Sequence, residues 1–173
     1  MTMPIRGASV MQDDMILQGP GLSWPAQFSP GNAELFSHNE IFIKAPRATV
    51  WWHLIAAGKW PQWYSNAVNV RVLNSVAGLL ASGSRFRWST FGIDVESRVH
   101  EFVPESRIGW HGDGGGLNSY HVWLLMDKGP GCHVVTQMVG KGPIARALRD
   151  LDPQAIDMSH DLWIRGLKLL SEG

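Results

Sequence analysis

Glu101, His121 and His160 are the side chains of this chain best placed to hold or move a proton, because alternation or helical spacing aims each at an interior of Val, Leu, Trp and Met. An unpaired charge there is costly, so each requires a partner. Two kinds of partner are open: other protein groups or a buried water, or the hydroxyl or carbonyl of an otherwise apolar ligand. A histidine so placed could also transfer a proton in an aldol cyclisation or a dehydration. No nucleophile, redox centre or committed acid/base pair stands beside them in the sequence.

Other chemistry-bearing patterns are weaker. Gly112-Asp-Gly-Gly-Gly116 resembles a phosphate cradle, but such a loop leads into a helix N-terminus, whereas Leu117 to Met126 reads as a strand. The run is expected to be a flexible hairpin loop, with a lid role open to it. Ser159-His160-Asp161 has the letters of a catalytic triad, yet successive helix residues diverge by about 100°, so the three cannot form the required chain of hydrogen bonds. His100 and His111 could be neighbouring metal ligands, but only Glu96, Arg98 and Asp113 share their face, an incomplete donor set. No metal or other cofactor is expected. The nine Trp residues lack interleaved basic residues apart from Arg85 and Arg87, so core and pocket packing is favoured over nucleobase stacking.

The elements that must position these groups follow from periodicity. Ile41 and Ile43 share one face of a strand flanked by the charged Glu40 and Lys44, and Ala45-Pro46 stops the strand. Val50, Trp51, Leu54 and Ile55 then form one apolar helical face, with Gly58 suited to a left-handed end. Trp60-Pro-Gln-Trp63 is too short for a core helix and reads as an aromatic turn plugging an opening. From Val68 successive strands joined by short loops imply antiparallel neighbours. With Pro104 to Arg107 as a turn, Val103 faces Ile108, Glu101 faces Trp110 and His100 faces His111, which puts Val95, Ser97, Val99, Glu101, Val103, Ile108 and Trp110 inside. Lys128 to Gly131 likewise places His121, Trp123 and Leu125 beside Val134, Thr136 and Met138. Tyr120, Val122, Leu124, Val135 and Val139, on the opposite side, need cover from the N-terminal extension or a second subunit, so a homodimer is one expectation. Asp152 and Pro153 open a helix over residues 153–170, after a shorter turn from Pro143, with Ile156, His160, Trp163, Leu167 and Leu170 on one stripe.

Strand, Ala45-Pro46-x-x-x-Val50-Trp51, Trp60-Pro-x-Trp63-Tyr64 and a Val-alternating strand together resemble the opening of the START-like superfamily, whose bacterial members are labelled SRPBCC or polyketide cyclase/dehydrase proteins. The likeness continues through Gly83-Ser-Arg-Phe-Arg-Trp88, Ser97-x-Val-x-x-Phe-x-Pro104, Arg107-Ile-Gly-Trp110, His121-Val-Trp123 and His160-x-x-Trp-x-x-x-Leu-Lys168, over roughly residues 34–173. The resemblance implies an α+β helix-grip fold: a curved antiparallel sheet of about seven strands around a long C-terminal helix, with two short helices after the first strand. The cavity between sheet and helix would be a ligand site. Its expected lining is Phe86, Trp88, Val95, Ser97, Val99, Glu101 and Trp110, then His121, Trp123, Thr136 and Met138, and finally His160, Trp163 and Leu167. Gln137 stands where many such proteins carry Glu, which disfavours chemistry needing a carboxylate there. A small aromatic, polyketide-like or lipid ligand ranks first. A cyclase/aromatase or dehydratase, and a co-chaperone-like or dimerisation module, are the alternatives.

A chain of 173 residues fits one domain, over residues 34–173, preceded by a Gly-, Pro- and Met-rich extension over residues 1–33 whose Trp24, Pro25 and Phe28 are costly to leave in water. Fifteen basic and fifteen acidic residues cancel without a basic cluster, so nucleic acid is disfavoured. The longest apolar run, Val122 to Met126, falls far short of the about 20 residues of a membrane span, and residues 1–33 contain no signal-peptide core. The lone Cys132 excludes an internal disulfide and suits a cytoplasmic location.

Overall fold

In the computed structural model, which describes residues 22–173, the Ile41–Ile43 alternation is part of a longer strand, β1 (Leu35–Ile43). Pro46 precedes α1 (Arg47–Ile55), and a 3-10 turn, Ala57–Gln62, carries Trp60 back into the core. Then come β2 (Val68–Val72), β3 (Arg85–Thr90), β4 (Ile93–Val103), β5 (Arg107–Gly114), β6 (Leu117–Lys128) and β7 (Gly131–Lys141). Two helices close the chain, α2 (Pro143–Leu151) and α3 (Ala155–Glu172). The strands form one seven-stranded sheet in the order β1-β7-β6-β5-β4-β3-β2. Every neighbouring pair is antiparallel.

Side-chain alternation gives this sheet an inner face, on which α1, the 3-10 turn and α3 pack. The larger core joins Val50, Trp51 and Leu54 of α1 and Trp60 of the turn to Phe86, Val99, Ile108, Trp110, Trp123 and Val134 of the strands and to Trp163 and Leu167 of α3. A second, smaller core of Leu35, Leu117, Met138, Ala145 and Ile156 lies under α2.

Several expectations are corrected locally. The helix after β1 ends at Ile55, and Gly58 does not adopt a left-handed conformation; a Cβ there would lie 3.3 Å from Gly78 Cα, so its role is close backbone approach. The segment from Pro143 is a nine-residue helix and not a turn. α3 begins at Ala155, Asp152 Oδ1 instead accepting the Gln154 amide at 3.1 Å. Along α3 the buried stripe is Ile156, His160, Trp163, Ile164, Leu167 and Ser171, while Leu170 is 39% exposed. A strict 4-3-4-3 spacing drifts around a straight 3.6-residue helix, so Ile164 and Ser171 rotate in as Leu170 rotates out.

Register in the β4–β5 hairpin differs from expectation more consequentially. Val103 pairs with Arg107, Phe102 with Ile108 and Glu101 with Gly109, after which a bulge at His100 brings Val99 opposite Trp110 and Arg98 opposite His111. An extra residue on one strand reverses the alternation beyond it. Val95, Ser97 and Val99 therefore face inward as expected, but Phe102 takes the next inner position and Val103 is exposed. Glu101 turns away to pair with Arg107 at 2.7 Å, where both side chains keep partial contact with solvent. The bulge thus spares the core a carboxylate.

The β6–β7 hairpin has the expected pairing, His121 with Met138, Trp123 with Thr136 and Leu125 with Val134. On its outer face, Tyr120 lies under Trp24 and Phe28 of the same chain, with ring centroids 5.8 and 6.4 Å away. Residues 1–21 of the expected extension lie outside the described residues. Gly115 and Gly116 alone form the β5–β6 turn, with φ of 61° and 89°, and the Gly116 carbonyl accepts the Ile144 amide at 3.2 Å. The glycine run is therefore mostly strand and docks α2; it is not a free lid loop. No described helix is long and apolar enough to cross a membrane.

Candidate functional site

Small residues open a space on the inner face. Ser97 of β4 pairs with Gly112 of β5, Gly112 with Ser119 of β6, and Ser119 with Gly140 of β7, forming a row without bulk. The adjacent row, Val99, Trp110, His121 and Met138, is bulky. Where α2 and the start of α3 cross this boundary, the two cores fail to close and leave a cavity of about 30 Å³. That is room for one or two water molecules, against about 300–1,000 Å³ for a typical ligand pocket.

His121 and His160 face each other across this boundary, ring centroids 4.8 Å apart, 3% and 2% exposed. The Thr136 hydroxyl donates to the Val122 carbonyl at 3.1 Å, so at 2.7 Å it accepts from His121 Nε2. This assigns the proton of His121 to Nε2 and leaves Nδ1 as an acceptor. His160 Nδ1 shares a 3.0 Å hydrogen bond with Ser37 Oγ. Burial pushes the His160 imidazole down to about 4. Burial, then the neighbouring His160, holds His121 well below the ordinary imidazole range. Both rings are neutral at pH 7, and among the described residues no Lys, Arg, Asp or Glu lines the cavity.

Of the expected lining, Trp88, Val95, Ser97, Trp110, His121, Met138 and His160 do reach the cavity. Phe86, Val99, Trp123, Trp163 and Leu167 do not; they belong to the packed aromatic core. Trp60, inserted by the 3-10 turn, sits 5.0 Å from Trp163, 5.7 Å from Trp110 and 5.8 Å from Phe86, and so fills the space that would otherwise extend the cavity. Thr136 contributes through its bond to His121, and Glu101 stands outside with Arg107. Thr90, Phe91, Gly112 and Ser119 of the strands and turns also line the cavity, as do Leu117, Leu148 and Ile156. The small residues on inward positions, Ser97, Gly112, Ser119 and Gly140, are the sequence signal that could have located this space.

His100 and His111 do approach on the outer face, centroids 5.3 Å apart, with Phe28 and Tyr120 against His111. Among the described residues no group of three His, Cys, Asp or Glu side chains is placed to hold a metal ion.

The cavity's roof is α2, held at its start by Glu34. Glu34 Oε1 accepts the Gly142 amide at 3.2 Å, Oε2 accepts from Arg146 at 2.5 Å, and its carbonyl accepts from Arg149 at 3.2 Å. The Arg146 hydrogen bond, then the Gly142 amide, keeps the Glu34 carboxyl below its ordinary range, so this clamp persists into mild acid and is lost as pH falls through that lowered value. Glu34→Ala should accelerate amide hydrogen exchange across Pro143–Leu151 while leaving β5 and β6 unchanged. Equal exchange in both proteins would show that α2 is held by its apolar face alone.

No family model matches the chain, and no curated protein does. Solved structures do. A hypothetical protein of Helicobacter pylori superposes with a TM-score of 0.81 at 29% identity, covering 88% of this chain and 97% of its own. The di-domain ARO/CYC protein StfQ of the steffimycin biosynthetic pathway matches with a TM-score of 0.66 at 13% identity, over 80% of this chain and 52% of StfQ. A START superfamily protein of Mycobacterium smegmatis matches at 0.57 and 12% identity, over 76% of this chain and 98% of its own. The curved seven-stranded sheet gripping a C-terminal helix is thus the START-like fold.

Proposed function

We propose that the protein binds a small hydrophobic molecule bearing a hydroxyl or carbonyl, in the space between the small-residue row and the α2–α3 corner. The observation that carries this reading is the pair of neutral, buried histidines at the edge of an enclosed, mostly apolar cavity. His121 Nδ1 offers a ligand hydroxyl an acceptor, and the walls supply the affinity. Burying apolar surface stabilises by about 25 cal/mol per Å², whereas one hydrogen bond adds about 0.5–1.5 kcal/mol net. The fold's occurrence in the di-domain ARO/CYC protein StfQ of the steffimycin biosynthetic pathway supports a small-molecule ligand.

Binding requires the walls to move, since the cavity holds only water-sized guests as it stands. α2 and the β3–β4 turn are the walls outside the aromatic core. Turnover is disfavoured because a base whose conjugate acid lies at about 4 is poorly matched to proton abstraction near neutrality. The small volume favours a second reading, an interaction module, whose working surface would be the exposed Met158, Leu162 and Leu169 of α3. Native mass spectrometry of gently purified protein separates them. A ligand appears as added mass on the monomer, and Gly112→Val, whose Cβ would meet Ser119 Oγ at 2.7 Å and Val95 Cγ1 at 3.2 Å and so crowd the cavity, should abolish it in a variant that keeps the parent's circular dichroism. A ligand-free protein of doubled mass would favour the interaction module.

A further inference from the structure

We propose that Phe91 decides which ligands the site accepts, its ring holding the place over His160 that a ligand's own aromatic ring takes on binding. The proposal rests on the pocket reading above. Phe91 and Gly92 form the two-residue connection between β3 and β4, with φ of 52° and 70°. A turn with both φ positive suits Asn-Gly or Asp-Gly, and a bulky aromatic in the left-handed region is an outlier. Packing at the second position does not impose it, because a Cβ on Gly92 would meet nothing within 4 Å. Strain of this kind persists where surrounding contacts over-determine it.

Here the surrounding contacts come from Asn66. Its Oδ1 accepts the Phe91 amide at 2.8 Å, while its Nδ2 donates to Ser159 Oγ at 2.8 Å and to the Tyr64 hydroxyl at 3.1 Å. The strained turn is thereby tied to α3 at the residue before His160. In consequence the Phe91 ring stands edge-on to His160, centroids 6.1 Å apart at 72°, and forms a wall of the cavity.

The other aromatic walls are locked. Trp88 and Trp110 are each packed against Trp60, Phe86 and Trp163. Phe91 is only half-buried and belongs to the smaller core under α2, so its side chain is the aromatic wall that can swing toward solvent. A ligand ring entering there replaces the same edge-on contact and extends toward His121 Nδ1. With both imidazoles neutral and no cation in the lining among the described residues, the ligand class is a neutral phenol in preference to a carboxylate.

The test uses the full chain with three probes, phenol, 1-naphthol and benzoate, followed by tryptophan emission. Phe91→Asn keeps a residue that tolerates the left-handed turn and removes the wall; Phe91→Gly does the same should the first variant not fold. The expected result is that the wild type binds phenol over benzoate, and that the variant shifts the ratio of 1-naphthol to phenol affinity about tenfold or more toward naphthol. Binding of both phenols with an unchanged ratio in the variant overturns the role of Phe91 and leaves the pocket reading standing. A wild type that favours benzoate overturns the ligand class. No saturable quenching in any of the proteins overturns the pocket reading and this proposal together.

Discussion

Trp163→Ala should lower the unfolding free energy by about 3–5 kcal/mol, the range for removing a large aromatic from a core that cannot collapse. Trp163 is 1% exposed and stands at the centre of the aromatic cluster. It stacks on Tyr64 at 4.5 Å and 6°, and meets Trp60 at 5.0 Å, Trp123 at 5.1 Å and His121 at 5.4 Å. These rings come from the 3-10 turn, the segment after it and the sheet, so no single element can move to fill the void. A total stability of about 5–15 kcal/mol makes such a loss visible as a large fall in the urea midpoint. The Trp163 indole N–H has no hydrogen-bond partner among the described residues, so Trp163→Phe keeps most of the packing without losing a bond and should cost far less. A fall under about 0.5 kcal/mol for Trp163→Ala, within the range of ordinary surface changes, would mean that the cluster is loosely packed and the cavity's inner wall is soft.

Stability should also fall as pH drops from 7 to 5, through the two buried histidines. His160 goes from 6.5 when exposed to about 4 in the folded protein. Between those values the unfolded chain binds the proton and the folded protein does not, so acid favours unfolding. Stability from this source is complete above about 6.5, declines below it, and stops declining once His160 protonates in the folded state near 4. His160 alone accounts for about 2 kcal/mol between pH 7 and 5, and His121, also held well below the ordinary imidazole range, adds in the same direction. Urea midpoints at the two pH values measure the sum. His160→Gln, with an amide able to reach Ser37, should flatten the dependence by roughly the His160 share. An identical pH dependence in parent and variant would show that His160 is hydrated in solution, and with it that the cavity is open.

A third handle on the site is the ligand itself. Anything that binds the folded protein alone should raise the urea midpoint with its concentration, an effect that Gly112→Val removes by filling the cavity.

What the sequence determined by itself is the set of features with short-range causes. The two inward histidines, the β6–β7 pairing, the break at Pro46 and the Ile156, His160, Trp163 and Leu167 positions of the α3 stripe all follow from a local period or a missing amide hydrogen. Together with the order of the motifs these were enough for the helix-grip architecture. The tertiary structure decided the rest, because the deciding quantities are differences between distant parts. A bulge at His100 leaves the polar pattern on each side intact, so alternation alone carried Glu101 inward, and only the competition between burying a carboxylate and pairing it with Arg107 turned it out. Likewise each of Phe86, Trp123, Trp163 and Leu167 is inward-facing, as periodicity requires, yet whether an inward residue lines a cavity or fills a core depends on what meets it. Trp60, brought in by a turn more than ninety residues before α3, occupies the space at one end, while Gly112 and Ser119 leave it open at the other. The protonation state of the histidines belongs to the same class, since desolvation is set by the whole enclosure and by no residue in it.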